Sequence, residues 1–370
     1  MMNKLSYIKD KEVNRDDFSE CSLKKHKSIY NKIFLTDIKR VEDLIDKENV
    51  MGIIEYKNNS YSNLSDSISE DIPYLGINTP PYEGDSFIEV WTSSHKVSYG
   101  KIGIFKFATD GENIFGTAFQ KEEDKSLAQI GENIYNQLFA LLYELDYPYL
   151  YRIWNFISDI NIDEKAECSS KKHQYIERYK SFCYGRATSF FNNNSINQEL
   201  RFPAATGIGS LSGGVNVYFI SSSLPRRTHI ENPNQLSAYK YPKKYGPKSP
   251  SFARATYYSR EDNSFNIYVS GTASIKGHET KYKDDIEKQC QVTFDNIKVL
   301  ISKKNLMKYG INSDLTLKDL NIIKVYIRKD EDFPIVKKMC QQVFSDDSVI
   351  LYLKADICRS DLLVEIEGVI

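Results

Sequence analysis

The chain carries an internal repeat, and this repeat restricts the possible folds more than any other feature. The segment "NIFGTAF" at 113–119 is echoed by "YVSGTAS" at 268–274, so that Gly116 aligns with Gly271. Each of these two segments is followed by a predicted helix, with apolar residues at helical spacing. A strand, a second helix and paired strands then follow in the same order in both places. Two unrelated α/β units could share part of this order by chance, but four matched elements favour a duplication. The sequence therefore predicts an α+β fold in which two like β-α-β-α-β-β domains pack against each other.

The repeat divides the chain into four regions. Residues 1–85 form a polar lead, rich in Lys, Asp, Ser and Asn, which we expect to be folded in part. Residues 86–225 hold the first copy, residues 226–258 form a loop-rich connecting segment, and residues 259–370 hold the second copy. Long irregular segments of compact proteins are usually functional loops or linkers.

Aromatic and basic side chains in the connecting segment favour a binding loop over a solvated linker. Tyr239, Tyr241, Tyr245 and Arg254 lie there, whereas linkers are rich in small polar residues and binding residues concentrate on loops. We therefore expect this segment to contribute to a ligand site.

Charge and cysteine usage narrow the class of protein. The 49 basic and 50 acidic residues give a net charge of −1, which favours neither a nucleic-acid partner nor a membrane surface. No apolar run approaches the ~20 residues of a transmembrane helix, and we expect no secretory signal because the first residues lack an apolar core. Six dispersed cysteines without CxxC, and five histidines without HExxH, favour the cytoplasm and argue against a metal site.

The closing segment "VEIEGVI" (364–370) contains the strongest candidate for chemistry. Side chains two positions apart on a strand point to the same side, so Glu365 and Glu367 face one way. The repeat places this strand beside that of Gly271, with Glu365 in a cleft and Glu367 nearer the sheet end, in solvent. A carboxyl group in an apolar cleft has a raised pKa and can act as a general acid near neutral pH. A solvent-facing glutamate is the alternative, since exposed strand glutamates are common.

Two further residues are candidates because of where they lie. Cys358 precedes a predicted turn that would return it to the side of Glu365, although a free cysteine is more often a small buried hydrophobic residue. Gly271 interrupts a strand, as happens where a ligand or a backbone approaches closely. Packing would explain Gly271 equally well, because Gly116 occupies the same place in the first copy.

Three arginines are candidates for binding a carboxylate. Arg178 and Arg186 lie in "ERYKSFCYGR", and Arg254 lies in "SFARAT". A guanidinium group matches a carboxylate bidentately, whereas a solvated charge is the alternative for each arginine. The glycine-rich segment "GIGSLSGG" (207–214) lacks both GxGxxG and the Walker lysine spacing, so a nucleotide loop is not expected.

Four segments of the second copy carry a resemblance to known proteins: "VSGTAS", "QCQVTFDNIKVLI", "KVYIRKDEDF" and the closing "LLVEIEGV". With these segments the second copy, about 265–370, resembles the small YjgF/Rid-type proteins, the reactive-intermediate deaminases. Members of that family are trimers with ligand clefts between subunits, and the first glutamate of "VEIE" lines the cleft, which implies Glu365. The family's deaminases bind the substrate carboxylate with an arginine where this chain has Ile350, so imine deamination is not implied here.

Five longer segments carry a second resemblance: "RIWNFISDIN", "ERYKSFCYGRA", "FPAATGIG", "ENPNQLSAYKYPKKYGPKSPSFARAT" and "SGTASIKGH". With these segments the chain is similar, over about residues 85–370, to the chorismatases, bacterial enzymes that remove pyruvate from chorismate. This similarity implies two Rid-like domains in one chain, a site between them, Glu365 as the essential acid, and neither metal nor organic cofactor. Arginines and tyrosines would bind the two carboxylates of the substrate, with these candidates: Arg178, Arg186, Tyr239, Tyr241 and Arg254.

Two positions indicate which product the resemblance implies. Chorismatases that form 3-hydroxybenzoate resemble this chain in carrying Gly and Cys there, here Gly271 and Cys358, whereas those that only hydrolyse carry Ala and an aliphatic residue. The resemblance thus implies release of pyruvate and 3-hydroxybenzoate for a secondary metabolite, with Cys358 assisting ring opening. The alternatives are a hydrolytic chorismatase giving a dihydroxycyclohexadiene acid, a mixed 3-/4-hydroxybenzoate synthase, a Rid-type imine deaminase and a non-catalytic aromatic-acid binder. The sequence does not choose between a monomer and a homo-oligomer.

Overall fold

Three main β-sheets, two of them covered by helices, make up the computed structural model of the chain. The structure describes residues 29–35, 41, 49–58, 64, 68–84, 86–165, 175–194, 202–211, 213–260 and 263–370. Residues 1–28 of the predicted polar lead lie outside this range. No helix among the described residues is long and apolar enough to cross a membrane.

The N-terminal sheet has four strands in the order β1-β4-β2-β3. These strands are β1 (Ile29–Leu35), β2 (Asn49–Lys57), β3 (Tyr74–Asn78) and β4 (Ser86–Ser93). Strand β4 pairs antiparallel with both β1 and β2. The first domain was predicted to begin at residue 86, but the strand that begins there belongs to the N-terminal sheet.

The first copy of the repeat, called the first unit from here on, supplies six of the seven strands of the next sheet, the first-unit sheet. In spatial order the seven strands are β20 (Asp356–Ile357), β11 (Ala204–Ser210), β8 (Tyr149–Ser158), β12 (Val215–Ser222), β7 (Asn113–Gln120), β6 (Phe105–Thr109) and β5 (Ser98–Ile102). Helices α1 (Leu127–Glu144) and α2 (Arg178–Asn194) pack together on its outer face, and β9 (Asp163–Lys165) forms a hairpin with β10 (Tyr175–Glu177). Helix α1 begins where the Ser126 side chain accepts a hydrogen bond from the Gln129 N–H.

The second copy of the repeat, together with β13 (Arg227–Ile230) and β14 (Ala255–Ser259) of the connecting segment, forms the second unit, and its sheet, the second-unit sheet, has six strands. In spatial order they are β13, β14, β15 (Phe265–Ala273), β21 (Val364–Val369), β18 (Ile322–Ile327) and β19 (Val349–Lys354). Helices α3 (Ile286–Ile301) and α5 (Phe333–Val343) cover it, with the short helix α4 (Lys303–Leu306) and the hairpin β16 (Ile275–Lys276) and β17 (Glu279–Thr280) beside them. Single 3₁₀ turns occupy Ala238–Lys240, Lys243–Tyr245, Met307–Tyr309, Leu317–Asp319 and Asp330–Asp332.

The predicted duplication is confirmed by the strand order. The order β11-β8-β12-β7-β6-β5 of the first unit matches β19-β18-β21-β15-β14-β13 of the second, and the parallel pairs β11·β8 and β18·β19 occupy equivalent places. The connecting segment was predicted to be loop-rich. Its two ends are instead strands β13 and β14, the equivalents of β5 and β6, and its middle is irregular.

The inner faces of all three sheets share one apolar core. Trp91 of the N-terminal sheet, Trp154 and Tyr218 of the first unit and Tyr326 of the second unit are buried in it. Trp154 stacks on Tyr218 with 4.3 Å between ring centroids. Burial of these rings in one shared core stabilises the contact between the sheets.

Candidate active site

A cavity of about 260 Å³ lies between the two units, under the connecting segment. Strand β11 and helix α2 form one wall, and β15, β21 and the turn after β20 form the other. Its lining residues are Asn155, Glu177, Tyr179, Lys180, Phe182, Cys183, Arg186, Ala205, Thr206, Gly207, Tyr241, Lys244, Tyr245, Pro250, Phe252, Arg254, Gly271, Ala273, Ile275, Cys358, Arg359, Ser360, Asp361 and Glu365. Six of the eight residues nominated from the sequence are among them.

Glu365 lies in this cavity, where the sequence placed it. On β21 it pairs with Ala273 of β15 and Tyr326 of β18, in the middle of the second-unit sheet. Its side chain is buried, and burial raises the pKa of Glu365 to about 8, with a further rise from the negative charge of Glu367. A carboxyl group with this pKa is mostly protonated at neutral pH, and it faces space that a ligand can enter.

Glu367 is buried as well, which corrects the expectation that it faces solvent. Its carboxylate accepts hydrogen bonds from Arg152 at 2.6 Å and from the Trp154 indole at 2.8 Å, and a further one from the Thr206 hydroxyl. The Lys324 ammonium group lies 3.4 Å away. Burial opposes ionisation, but Arg152 and Lys324 outweigh it and hold the pKa of Glu367 below its ordinary value. The two glutamates of one strand face are therefore one acid and one carboxylate.

Gly271 lies at a bulge of β15, directly beside the Glu365 carboxyl group. The register between β15 and β21 shifts between Val269 and Thr272. A Cβ atom on Gly271 would lie 1.9 Å from Oε1 of Glu365, so a larger residue would displace the Glu365 carboxyl group. The Gly271 N–H donates to Oγ1 of Thr206 at 3.1 Å, which ties the bulge to the first unit.

Cys358 returns to the side of Glu365 through the turn that follows β20, as predicted. Its Sγ atom lies 3.8 Å from Oε2 of Glu365. The preceding residue, Ile357, pairs with Ile208 of β11, which fixes the turn to the first-unit sheet. Burial raises the pKa of the Cys358 thiol well above its ordinary value, and the charge of Glu365 adds to the rise. The thiol is therefore a neutral, weak hydrogen-bond donor rather than a thiolate.

Arg254 and Tyr241 form one polar corner of the cavity. The Arg254 side chain donates from Nη2 to the Tyr241 hydroxyl at 2.7 Å and to the Leu236 carbonyl at 3.0 Å. Its Nε atom has no hydrogen-bond partner within the described part of the chain. A buried guanidinium group with a spare donor favours an anionic ligand, because such a ligand satisfies both its charge and its hydrogen bond.

Arg186 provides a second buried guanidinium group, on the opposite wall. It lies on α2, 4.9 Å from the ring centroid of Tyr135, and is 5% exposed. Its Nε and Nη2 atoms also have no hydrogen-bond partner among the residues that the structure describes. Two guanidinium groups with spare donors suit a ligand that carries two carboxylates.

Arg178 and Tyr239 do not line the cavity, in contrast to the expectation from sequence. Arg178 forms ion pairs with Glu122 and with Glu164 and donates to the Ser158 carbonyl at 2.9 Å, so its fork is already occupied. Tyr239 is 38% exposed and packs its ring against Phe202, 5.2 Å away. Both residues lie in segments that reach the cavity, but their side chains point elsewhere.

Sequence reasoning missed Arg359, Tyr179 and Cys183, which all line the cavity. The Arg359 guanidinium carbon lies 4.1 Å from the ring centroid of Tyr245. Burial raises the pKa of Tyr179 well above its ordinary value and the pKa of Cys183 to about 12, so both are neutral donors. The available signal was helical spacing, because Tyr179, Cys183 and Arg186 are three to four residues apart on one face of α2.

Comparison with known proteins finds relatives in sequence and in structure. A family model described as "Chorismatase FkbO/Hyg5-like, N-terminal" matches residues 89–221. A 3-hydroxybenzoate synthase of Streptomyces hygroscopicus is 40% identical over 327 residues, which cover 87% of this chain and 92% of that protein. A chorismatase of Streptomyces rapamycinicus is 35% identical, with 89% and 94% covered. A chorismatase crystal structure superposes with a TM-score of 0.82 at 32% identity, covering 94% of this chain and 99% of that one.

Proposed function

This chain belongs to the chorismatase family, and we propose that it converts chorismate to 3-hydroxybenzoate and pyruvate in the cavity between its two units. The observation that supports this function best is a buried glutamate, Glu365, with a pKa of about 8, facing the same cavity as two buried arginines that have spare donors. Chorismate is a dianion with an acid-labile enolpyruvyl ether. An enzyme that cleaves this ether needs a proton donor, and two cationic groups suit the two carboxylates of the substrate.

Glu365 is the proposed general acid. It protonates the terminal methylene carbon of the enolpyruvyl group, which generates an oxocarbenium ion and weakens the bond between the ether oxygen and ring carbon C3. Glu365 retains this proton at neutral pH because it is buried. Glu367 is already ionised beside Arg152 and Lys324 and has no proton to give.

Arg186 and Arg254 are the proposed ligands of the two substrate carboxylates. They approach from different units, one on α2 and the other next to β14, so a dianion bound between them spans the cavity. Tyr241 holds the Arg254 fork in place through its hydroxyl group. Bidentate binding at both ends would orient the ring relative to Glu365.

The proposed route to 3-hydroxybenzoate needs no water and no oxidant. The substrate's own C4 hydroxyl oxygen attacks C3 and loses its proton, while the C3–O bond electrons move to the departing pyruvate. The resulting arene-oxide-like intermediate opens at the C4–O bond, the freed oxygen on C3 takes up a proton, and the proton on C3 is lost, which restores aromaticity. The oxygen of the C4 hydroxyl thus becomes the phenolic oxygen, and the products together contain the atoms of chorismate.

Cys358 is proposed to assist the second half of this route. Its neutral thiol lies 3.8 Å from Glu365, where it can donate to the carboxylate that remains after proton transfer. A polarisable sulfur beside the opening ring keeps water from that position. Hydrolysis to the dihydroxycyclohexadiene acid is the competing outcome, in which water adds to the oxocarbenium carbon.

Imine deamination and non-catalytic binding of an aromatic acid have less support. Imine deamination would require an arginine at position 350, but Ile350 packs against the core of the second unit and does not line the cavity. A non-catalytic binder would not need a protonated glutamate among the ligands. We also propose a cytoplasmic enzyme, in keeping with the free thiols of Cys183, Cys290, Cys340 and Cys358.

Replacing Glu365 by Gln tests the assignment of the acid. The amide keeps the shape of the side chain but cannot donate the proton, so pyruvate release from chorismate should fall by about 10²–10⁴-fold. Glu164→Gln is the matched control, since Glu164 pairs with Arg178 outside the cavity and should leave the rate nearly unchanged. Wild-type rates in Glu365→Gln would remove this residue from the mechanism.

A further inference from the structure

We infer that Arg328 is a positioning residue that determines which product the cavity forms, because it holds the turn of residues 356–362 against Glu365. This inference rests on the function proposed above and deepens it. Arg328 follows β18 and does not line the cavity, so it acts on the reaction only through the turn.

The guanidinium group of Arg328 donates to three backbone carbonyls of this one turn. Its Nε atom lies 2.8 Å from the Leu362 oxygen, and Nη2 lies 3.1 Å from the Ile357 oxygen and 2.9 Å from the Arg359 oxygen. These carbonyls flank Cys358 on both sides. A planar fork is needed to reach all three, and a lysine ammonium group cannot reproduce that geometry.

The same guanidinium group ties the turn to the first unit. Nη1 donates to Oδ1 of Asn161 at 2.9 Å and also binds the Asp356 carboxylate. Asn161, which belongs to the first unit, donates in turn to the Ile357 carbonyl at 3.0 Å. Together with the β20–β11 pairing, these contacts fix the turn at the boundary between the units.

The turn carries four consecutive cavity residues: Cys358, Arg359, Ser360 and Asp361. Cys358 lies beside Glu365, and Arg359 lies against the Tyr245 ring of the connecting segment. Glu365 itself is held separately, because β21 is hydrogen-bonded between β15 and β18. Loosening the turn therefore moves the thiol and the wall behind the ring but leaves the acid in place.

This separation has a chemical consequence. Proton transfer and pyruvate release depend on Glu365, whereas the choice between internal attack and hydrolysis depends on how tightly the ring is enclosed. A displacement of ~1 Å in a reacting geometry can cost as much as ~100-fold in rate. A displaced Cys358 turn admits water to the oxocarbenium carbon while pyruvate is still formed.

The test is the product ratio of Arg328→Lys. We expect pyruvate release to continue and the ratio of 3-hydroxybenzoate to dihydroxycyclohexadiene acid to fall by about 10- to 100-fold. This ratio is independent of how much protein is folded, so it separates positioning from stability. Arg226→Lys is the matched control, an arginine that pairs with Glu112 away from the cavity, and its ratio should equal that of the wild type.

A second variant covers the case in which Arg328→Lys does not fold. Asn161→Ala removes one anchor of the Arg328 group and leaves the three carbonyl contacts, so the ratio should fall in the same direction by a smaller factor. The inference is overturned if Arg328→Lys or Asn161→Ala folds and keeps the wild-type product ratio. It is also overturned if Arg226→Lys changes the product ratio as much as Arg328→Lys does. Failure of the proposed function would appear differently, as a wild-type protein that forms no 3-hydroxybenzoate from chorismate.

Discussion

Glu365 and Glu367 lie two positions apart on one strand, yet they differ in protonation because their neighbours differ. Glu365 meets a thiol, a glycine backbone and empty space, and its pKa is raised to about 8. Glu367 meets Arg152, Lys324 and two neutral donors, and its pKa is lowered. The site therefore holds a protonated carboxyl group and an ionised one side by side on a single strand.

The difference predicts a pH profile. Glu365, the proposed general acid, works only while protonated, so kcat/KM for pyruvate release should be highest below pH 8 and fall as the pH rises through about 8, the pKa of Glu365. Glu367→Gln removes a neighbouring negative charge and leaves two cations, which lowers the pKa of Glu365. The alkaline limb should therefore move to lower pH, measured as kcat/KM from about pH 5 to pH 10. If kcat/KM of Glu367→Gln falls at the same alkaline pH as that of the wild type, Glu367 does not influence the pKa of Glu365.

The sequence predicted the place of Glu365 but not the burial of Glu367. Side chains alternate along a strand, so the local sequence is enough to predict that the two carboxyl groups lie on one face. The partner of Glu367 is Arg152, 215 positions away in the other unit, and no local pattern indicates such a contact. The spare donors of Arg186 likewise depend on what α2 packs against, so the sequence could not separate Arg186 from Arg178.

At the scale of elements, the site depends on two departures from regular sheet structure. The bulge of β15 places Gly271 against Glu365, and the two-residue strand β20 crosses to the first-unit sheet and carries Cys358 with it. Both departures interrupt the repeat, and neither is visible in the β-α-β-α-β-β pattern. The regular elements were predictable because their apolar spacing is local, whereas a bulge and a crossing strand are fixed by tertiary pairing.

These two departures predict how the product can be changed. In Gly271→Ala the new methyl group would overlap the Glu365 carboxyl group, so the acid and the ring must both shift. Cys358→Val keeps the volume nearly constant and removes the thiol. We expect the double variant to release pyruvate more slowly and to form the dihydroxycyclohexadiene acid in place of 3-hydroxybenzoate. Chromatography of the products beside a pyruvate assay decides this, and unchanged formation of 3-hydroxybenzoate alone would contradict it.

At the scale of the whole molecule, one buried polar cluster joins the three sheets. The Lys324 ammonium group of the second unit lies 2.8 Å from Glu89 of the N-terminal sheet, 2.9 Å from the Tyr218 hydroxyl of the first unit and 3.4 Å from Glu367. The cluster thus links the N-terminal sheet to the strand that carries Glu365. The N-terminal strands are in this way part of the support of the site.

The cluster predicts a large effect on stability. Lys324→Met leaves the carboxylates of Glu89 and Glu367 buried without this cation, and breaking a buried ion pair on one side typically costs ~3–5 kcal/mol of the free energy of unfolding. Lys337→Met is the control, because Lys337 pairs with Glu83 at a partly exposed position where ~0–1 kcal/mol is expected. Denaturant unfolding measures both, and equal losses would mean that the buried cluster does not hold the sheets together.

We propose that the substrate's own C4 hydroxyl group displaces pyruvate in the cavity between the two units. Chorismate labelled with ¹⁸O in that hydroxyl group tests it directly, with mass spectrometry of the products formed by the wild-type enzyme. We expect equimolar pyruvate and 3-hydroxybenzoate, with the label retained in the phenolic oxygen. Unlabelled 3-hydroxybenzoate, or a labelled dihydroxycyclohexadiene acid as the main product, would contradict it.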